Sequence, residues 1–149
     1  MEAFFDYIRM EFKDTSPKPF ITLFGGEPLM NSPAQRRIIE QIVDRCAAED
    51  YELSAVTNGY DFAEYAELLS RARIKEIQFT LDGTPEVHDV RRCTANGKGT
   101  FDRVLGSIPG LRDLYRTWKQ LLVPPDLASG MVARVLLLPD ESGQHFLLG

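Results

Sequence analysis

Residues 21–30 read ITLFGGEPLM. The β-branched and large apolar side chains of Ile21 to Phe24 predict a strand, and Gly25-Gly26-Glu27-Pro28 ends it abruptly, presenting one carboxylate on exposed backbone. Two glycines leave main-chain groups open to a ligand, and Pro28 biases Glu27 toward an extended conformation that fixes where its carboxylate points. From these residues alone two readings stand: a loop that receives an amine, or a tight turn whose glutamate caps the following helix.

Outward from that loop, strand-like runs recur at 20–24, 53–56, 77–81 and 131–138 with helical patterns between them. The alternation predicts an α/β fold on a parallel sheet of about four strands with outer helices. Asn31-Ser32-Pro33 supplies a cap and a first-turn proline, after which Ile38, Ile39, Ile42, Val43, Cys46 and Ala47 fall on one helix face. Asp61 and Glu64 have capping-box spacing ahead of Phe62, Tyr65, Leu68 and Leu69. Thr100 is expected to cap a third helical region, broken at Pro109-Gly110 and resumed by Leu111, Leu114, Tyr115, Trp118 and Leu122. A further helix opens the chain, with Phe4, Phe5, Ile8 and Phe12 on one side. An open half-barrel of this kind leaves two unpaired sheet edges, which are expected to favour self-association.

The chain has 149 residues, 44% hydrophobic and 26% charged, which is ordinary globular composition and argues against disorder. A formal charge of -5 without blocks of like charge argues against nucleic acid or an anionic membrane as partner. The N-terminus is too charged for a signal peptide and no apolar run spans a bilayer, so a cytoplasmic location is expected. Two cysteines, Cys46 and Cys93, form neither a disulfide framework nor a paired metal motif. Cys46 falls on an apolar stripe and is expected in the core, and His145 in a polar tail.

Ligands of parallel α/β folds sit at the carboxyl ends of the strands. Three predicted strands here end in glycine beside a polar side chain: Gly25-Gly26-Glu27, Thr57-Asn58-Gly59 and Leu81-Asp82-Gly83. After the third come His88, Asp89, Arg91 and Arg92, and arginine is the natural clamp for a carboxylate. A ligand carrying both amine and carboxylate would use Glu27 at one loop and an arginine at another. The other reading of His88, Asp89 and the arginines is a solvated surface cluster. The run NGKGT is no phosphate loop, because Arg92 stands where that motif needs glycine.

The series FGGEPLM (24–30), TNGY (57–60) and LDGTPEVHDVRRCTANGKGTFDRVL (81–105) resembles the radical S-adenosylmethionine (radical SAM) enzymes. The likeness is to the branch of anaerobic sulfatase maturases and related peptide-modifying enzymes with SPASM-type tails. It spans about residues 15–108, with 109–149 weakly matched, and implies one incomplete domain over 1–149, part of a (βα)6 partial TIM barrel. By position, Gly25, Gly26 and Glu27, followed by Pro28, would receive the amino group of S-adenosylmethionine (SAM), and Thr80 and Arg92 its carboxylate. Asn58 and Asp82 would line the same rim. The family's reaction is SAM cleavage at a [4Fe-4S] cluster to a 5'-deoxyadenosyl radical that attacks a peptide or protein side chain.

The family's cluster-binding Cys-x3-Cys-x2-Cys segment is absent from this sequence, so no residue is assigned as a metal ligand or catalytic group, and the chain as written is expected to be inactive. Three accounts of that absence follow. The chain is a fragment or mis-started product of such an enzyme, a degenerate non-catalytic module that binds SAM or a peptide, or a structural remnant.

Overall fold

A computed structural model describes residues 1–108, 111–113, 132–140 and 143–148. In chain order the elements are α1 (Glu2–Glu11), β1 (Ile21–Leu23), α2 (Pro33–Glu49), β2 (Leu53–Thr57), α3 (Phe62–Leu69) and β3 (Ile74–Asp82). They continue with α4 (Pro85–Arg91), α5 (Phe101–Ser107), β4 (Val132–Asp140) and β5 (Gly143–Leu148). The strands form one sheet in sequence order.

Only the first three strands are parallel. β1 pairs with β2 and β2 with β3 in parallel, each across an intervening helix, as a parallel pair requires. β4 runs antiparallel to β3, with Asp82 opposite Val132 and Thr80 opposite Arg134. The expected fourth parallel strand at 131–138 is therefore corrected to an antiparallel one. Apolar strand composition carries no direction, which depends on the end of the sheet to which the chain returns. β5 then pairs antiparallel with β4, closing on Asp140 opposite Gly143, and it takes up His145, expected in a tail. Asp and Gly three apart are themselves a turn signal. The helical spacing at 111–122 falls mostly outside the described residues, although Leu111 is buried.

Strand alternation divides the sheet faces. Leu53, Ala55 and Thr57 of β2 and Ile77, Phe79 and Leu81 of β3 are all buried. The apolar ones join a single core with Ile39, Val43 and Cys46 of α2, Tyr65 and Leu69 of α3, and Phe101, Val104 and Leu105 of α5. Phe79 stacks edge-to-face on Phe62, with ring centroids 4.9 Å apart. Truncating such a buried aromatic costs about 3–5 kcal/mol, so the strand ends are firmly held. The alternate positions, Thr22, Ser54, Val56, Gln78 and Thr80, are mostly polar. Of the expected helix stripes, Phe5, Ile8, Ile39 and Val43 are buried, whereas Phe4, Phe12 and Ile38 lie at the stripe margins and stay exposed.

Two of the three expected side-chain caps do not form. Ser32 does cap α2, its hydroxyl accepting from Gln35 N at 3.2 Å, with Pro33 at the first helical position. Asp61 makes no cap bond, because its carboxylate accepts instead from Asn31 N (3.0 Å) and Arg103 Nη2 (2.9 Å). Thr100 makes none either. The start of α5 is capped by Asp89, whose Oδ1 accepts from Thr100 N (2.8 Å) and Phe101 N (2.9 Å).

Candidate functional site

The carboxyl ends of β1, β2 and β3 converge on one rim, and Glu27 ties the first two together. Its Oε1 accepts from Leu29 N at 2.9 Å and from the Thr57 hydroxyl at 2.6 Å, and its Oε2 accepts from Asn58 N at 2.7 Å. Glu27 does not cap α2. A carboxylate offers about four acceptor positions, so three donors leave about one, on Oε2. Thr57, which carries this contact, has no feature in the sequence that sets it apart beyond its place just before Asn58. Its hydroxyl also accepts from Gly59 N (3.1 Å), and Asn58 Oδ1 accepts from Tyr60 N (2.8 Å).

The loop before Glu27 is shaped by backbone need. Gly25 and Gly26 have φ of 98° and 55°, which residues with a Cβ adopt only under strain. A Cβ at either position would meet nothing within 4 Å among the described residues, which leave the space above this backbone open. Farther along, the loop is braced from α2 and α3: Gln35 Nε2 donates to the Pro28 carbonyl (2.9 Å) and the Tyr65 hydroxyl to the Met30 carbonyl (2.8 Å).

The third strand contributes an ion pair. Asp82 at the end of β3 is 5% exposed and accepts from Arg92 Nε at 3.0 Å and Nη2 at 3.4 Å. That forked pairing uses one edge of the guanidinium, and Nη1 has no partner among the described residues. His88 lies beneath, fully buried, with burial pushing its pKa down and Asp82, Arg92 and Asp89 acting as lesser charges around it. The His88-Asp89 pair is thus internal scaffolding, which excludes the solvated-cluster reading for these two residues.

Gly25, Gly26, Glu27, Asn58, Thr80 and Arg92 line one open cavity of about 200 Å³, with Phe24, Val56 and Thr57 beside them. Drug-sized ligands occupy ~300–1,000 Å³, so this one has the scale of an amino-acid head. Glu27, Asn58 and Arg92 also border a second cavity of about 400 Å³, completed by Met30, Tyr60, Asp61, Cys93, Thr94 and Thr100. Two expected rim residues stand apart. Asp82 lies behind Arg92, and Pro28 is buried and faces a groove along β1 with Ile38, Ile39 and Ile42.

An acidic oxygen with about one open acceptor position, a guanidinium whose Nη1 has no partner among the described residues and a glycine backbone with space above it fit a zwitterionic ligand such as the methionyl end of SAM. The residues do not fit an iron–sulfur cluster. Among the described residues no three His, Cys, Asp or Glu side chains are grouped to hold a metal. Cys46 is buried in α2 and Cys93 is exposed in the loop after α4. No helix among the described residues is long and apolar enough to cross a membrane.

No curated protein and no solved structure matches the chain. The family model of the Radical SAM superfamily matches residues 5–136, which takes in all three rim loops and most of the sheet. This family's general chemistry is the cleavage of SAM. By that match, the chain belongs to the Radical SAM superfamily.

Proposed function

We propose that the rim cavity binds the methionyl end of SAM, and that the chain is the SAM-binding part of an enzyme modifying a peptide or protein side chain in the manner of the sulfatase maturases. The observation that carries the first half is the pairing of Glu27 and Arg92 around the open Gly25-Gly26 backbone. Glu27 Oε2 takes the ammonium group in its remaining acceptor position, and Arg92 Nη1 donates to the carboxylate. The peptide substrate rests on the sequence likeness of the 81–105 segment to the peptide-modifying branch. When bound, SAM supplies the 5'-deoxyadenosyl group for radical chemistry. The chain's own residues bind and orient its amino-acid end.

Calorimetric titration of the purified chain with SAM tests this reading. Binding is expected in the wild type and loss of about tenfold or more in Arg92→Ala, the equivalent of one charge-assisted contact. Glu27→Ala is expected to weaken binding further, since it also releases Thr57 and Asn58 from the β1 loop. Wild-type chain that is folded by circular dichroism yet gives no heat with SAM would refute the assignment.

A further inference from the structure

His88 is a buried imidazole whose two nitrogens are both engaged, and it touches neither rim cavity. The Asp82 backbone N–H can only donate, so Nδ1, 3.2 Å away, is the acceptor and the ring proton sits on Nε2. Nε2–H then donates to Thr100 Oγ1 at 3.1 Å. The Thr100 hydroxyl passes the sequence on by donating to the Arg92 carbonyl. The ring is clamped edge-to-face on Phe101, with centroids 5.4 Å apart. One neutral imidazole therefore touches the backbone of Asp82 directly and that of Arg92 through a single hydroxyl, and those two residues form the rim's ion pair.

We infer that His88, acting through Thr100, is the positioning residue that holds Arg92 where its Nη1, unpartnered among the described residues, meets a ligand carboxylate. The inference rests on the SAM reading above and adds to it the device that aims the guanidinium. Arg92 stands just past the last turn of α4, where its amide donates one helical bond, to the His88 carbonyl (2.7 Å). A side chain this close to a helix end needs its backbone fixed from a second direction, and the Thr100 hydroxyl provides it. Phe101 and Val104 anchor Thr100 in turn through the core.

The test compares affinity for SAM with affinity for decarboxylated SAM, which keeps the ammonium and nucleoside and lacks only the group Arg92 would meet. Four proteins are titrated: wild type, Thr100→Val, His88→Asn and His88→Gln. Wild type is expected to prefer SAM by about tenfold, the worth of one charge-assisted contact. Thr100→Val and His88→Asn break the link to the Arg92 carbonyl and are expected to lose most of that preference; it is read as the ratio of the two affinities, which cancels any effect common to both ligands of changing Thr100, itself in the wall of the larger cavity. His88→Gln, whose amide reaches the Nε2 position, is expected to keep most of it. Undiminished preference in Thr100→Val and His88→Asn, or equal weakening toward both ligands, would overturn the positioning role and leave the SAM reading intact. Wild type that binds neither ligand would remove both.

Discussion

Gly99 allows a quantitative check on how the rim is held. A Cβ built there would overlap the Asp89 carboxylate, with Oδ1 only 2.7 Å away. Asp89 cannot yield without releasing the two α5 amide groups it caps. Losing a cap costs about 1–2 kcal/mol, and a charged acceptor lies at the upper end, so Asp89→Ala should cost about 2 kcal/mol. Gly99→Ala should lose the same bonds but regain about 0.5–1 kcal/mol from a stiffer unfolded chain, for a net cost of about 1–1.5 kcal/mol. In the Asp89→Ala background there is no carboxylate to displace, and Gly99→Ala should stabilise by about 0.5–1 kcal/mol. The cycle thus predicts a coupling of about 2 kcal/mol between the sites, well above the ~0.3–0.5 kcal/mol scatter of independent positions. Urea unfolding followed by circular dichroism measures all four corners. Equal costs for Gly99→Ala in both backgrounds would show that Asp89 is not the capping group.

Three further outcomes are expected. Because burial depresses the His88 pKa against opposing pulls from Asp82 and Asp89, the unfolded chain binds the proton first as pH falls. Stability is then complete above the unfolded value of about 6.5 and declines as pH drops toward the lower folded value. His88→Gln should flatten the difference between pH 7 and 5, and an unchanged slope would refute the assignment. Burial pushes the Cys46 thiol up to about 11, so iodoacetamide on the native chain should label exposed Cys93 first and Cys46 only after unfolding, read by mass spectrometry. Anaerobic reconstitution of this chain with iron and sulfide should yield no visible cluster absorption, and a stoichiometric cluster would show that a donor set was missed.

The parts of the fold that were legible in the sequence are those written in local chemistry. Ser32-Pro33 marks a helix start by its own hydroxyl and fixed φ, and Gly25-Gly26 marks a loop whose backbone needs positive φ. The direction of β4 was not legible, because its apolar run fits a strand of either sense and only the pairing of Asp82 with Val132 decides. Asp61 and Thr100 had the composition of caps, but partners 30 and 42 residues from Asp61, and Asp89 across a turn from Thr100, offered stronger bonds. The rim showed the same division. Its glycines and carboxylate announced themselves by type, whereas Thr57 and His88 matter through what they touch, and no spacing rule encodes that.

The three bonds to Glu27 reach from residue 27 to residues 29, 57 and 58, and the braces beside it join Met30 to Tyr65 and Asn31 to Asp61. Most of these links therefore close loops of some thirty residues, whose entropic cost is met only once the first crossover has docked. The rim is thus expected to form with or after docking of that crossover rather than ahead of it. A synthetic peptide covering 20–32 would carry the whole Gly-Gly-Glu-Pro motif and, of these five links, only the local one from Leu29 N to Glu27. A ligand that occupies the rim would act as a clamp on the β1–β2 unit, slowing amide exchange in both strands together.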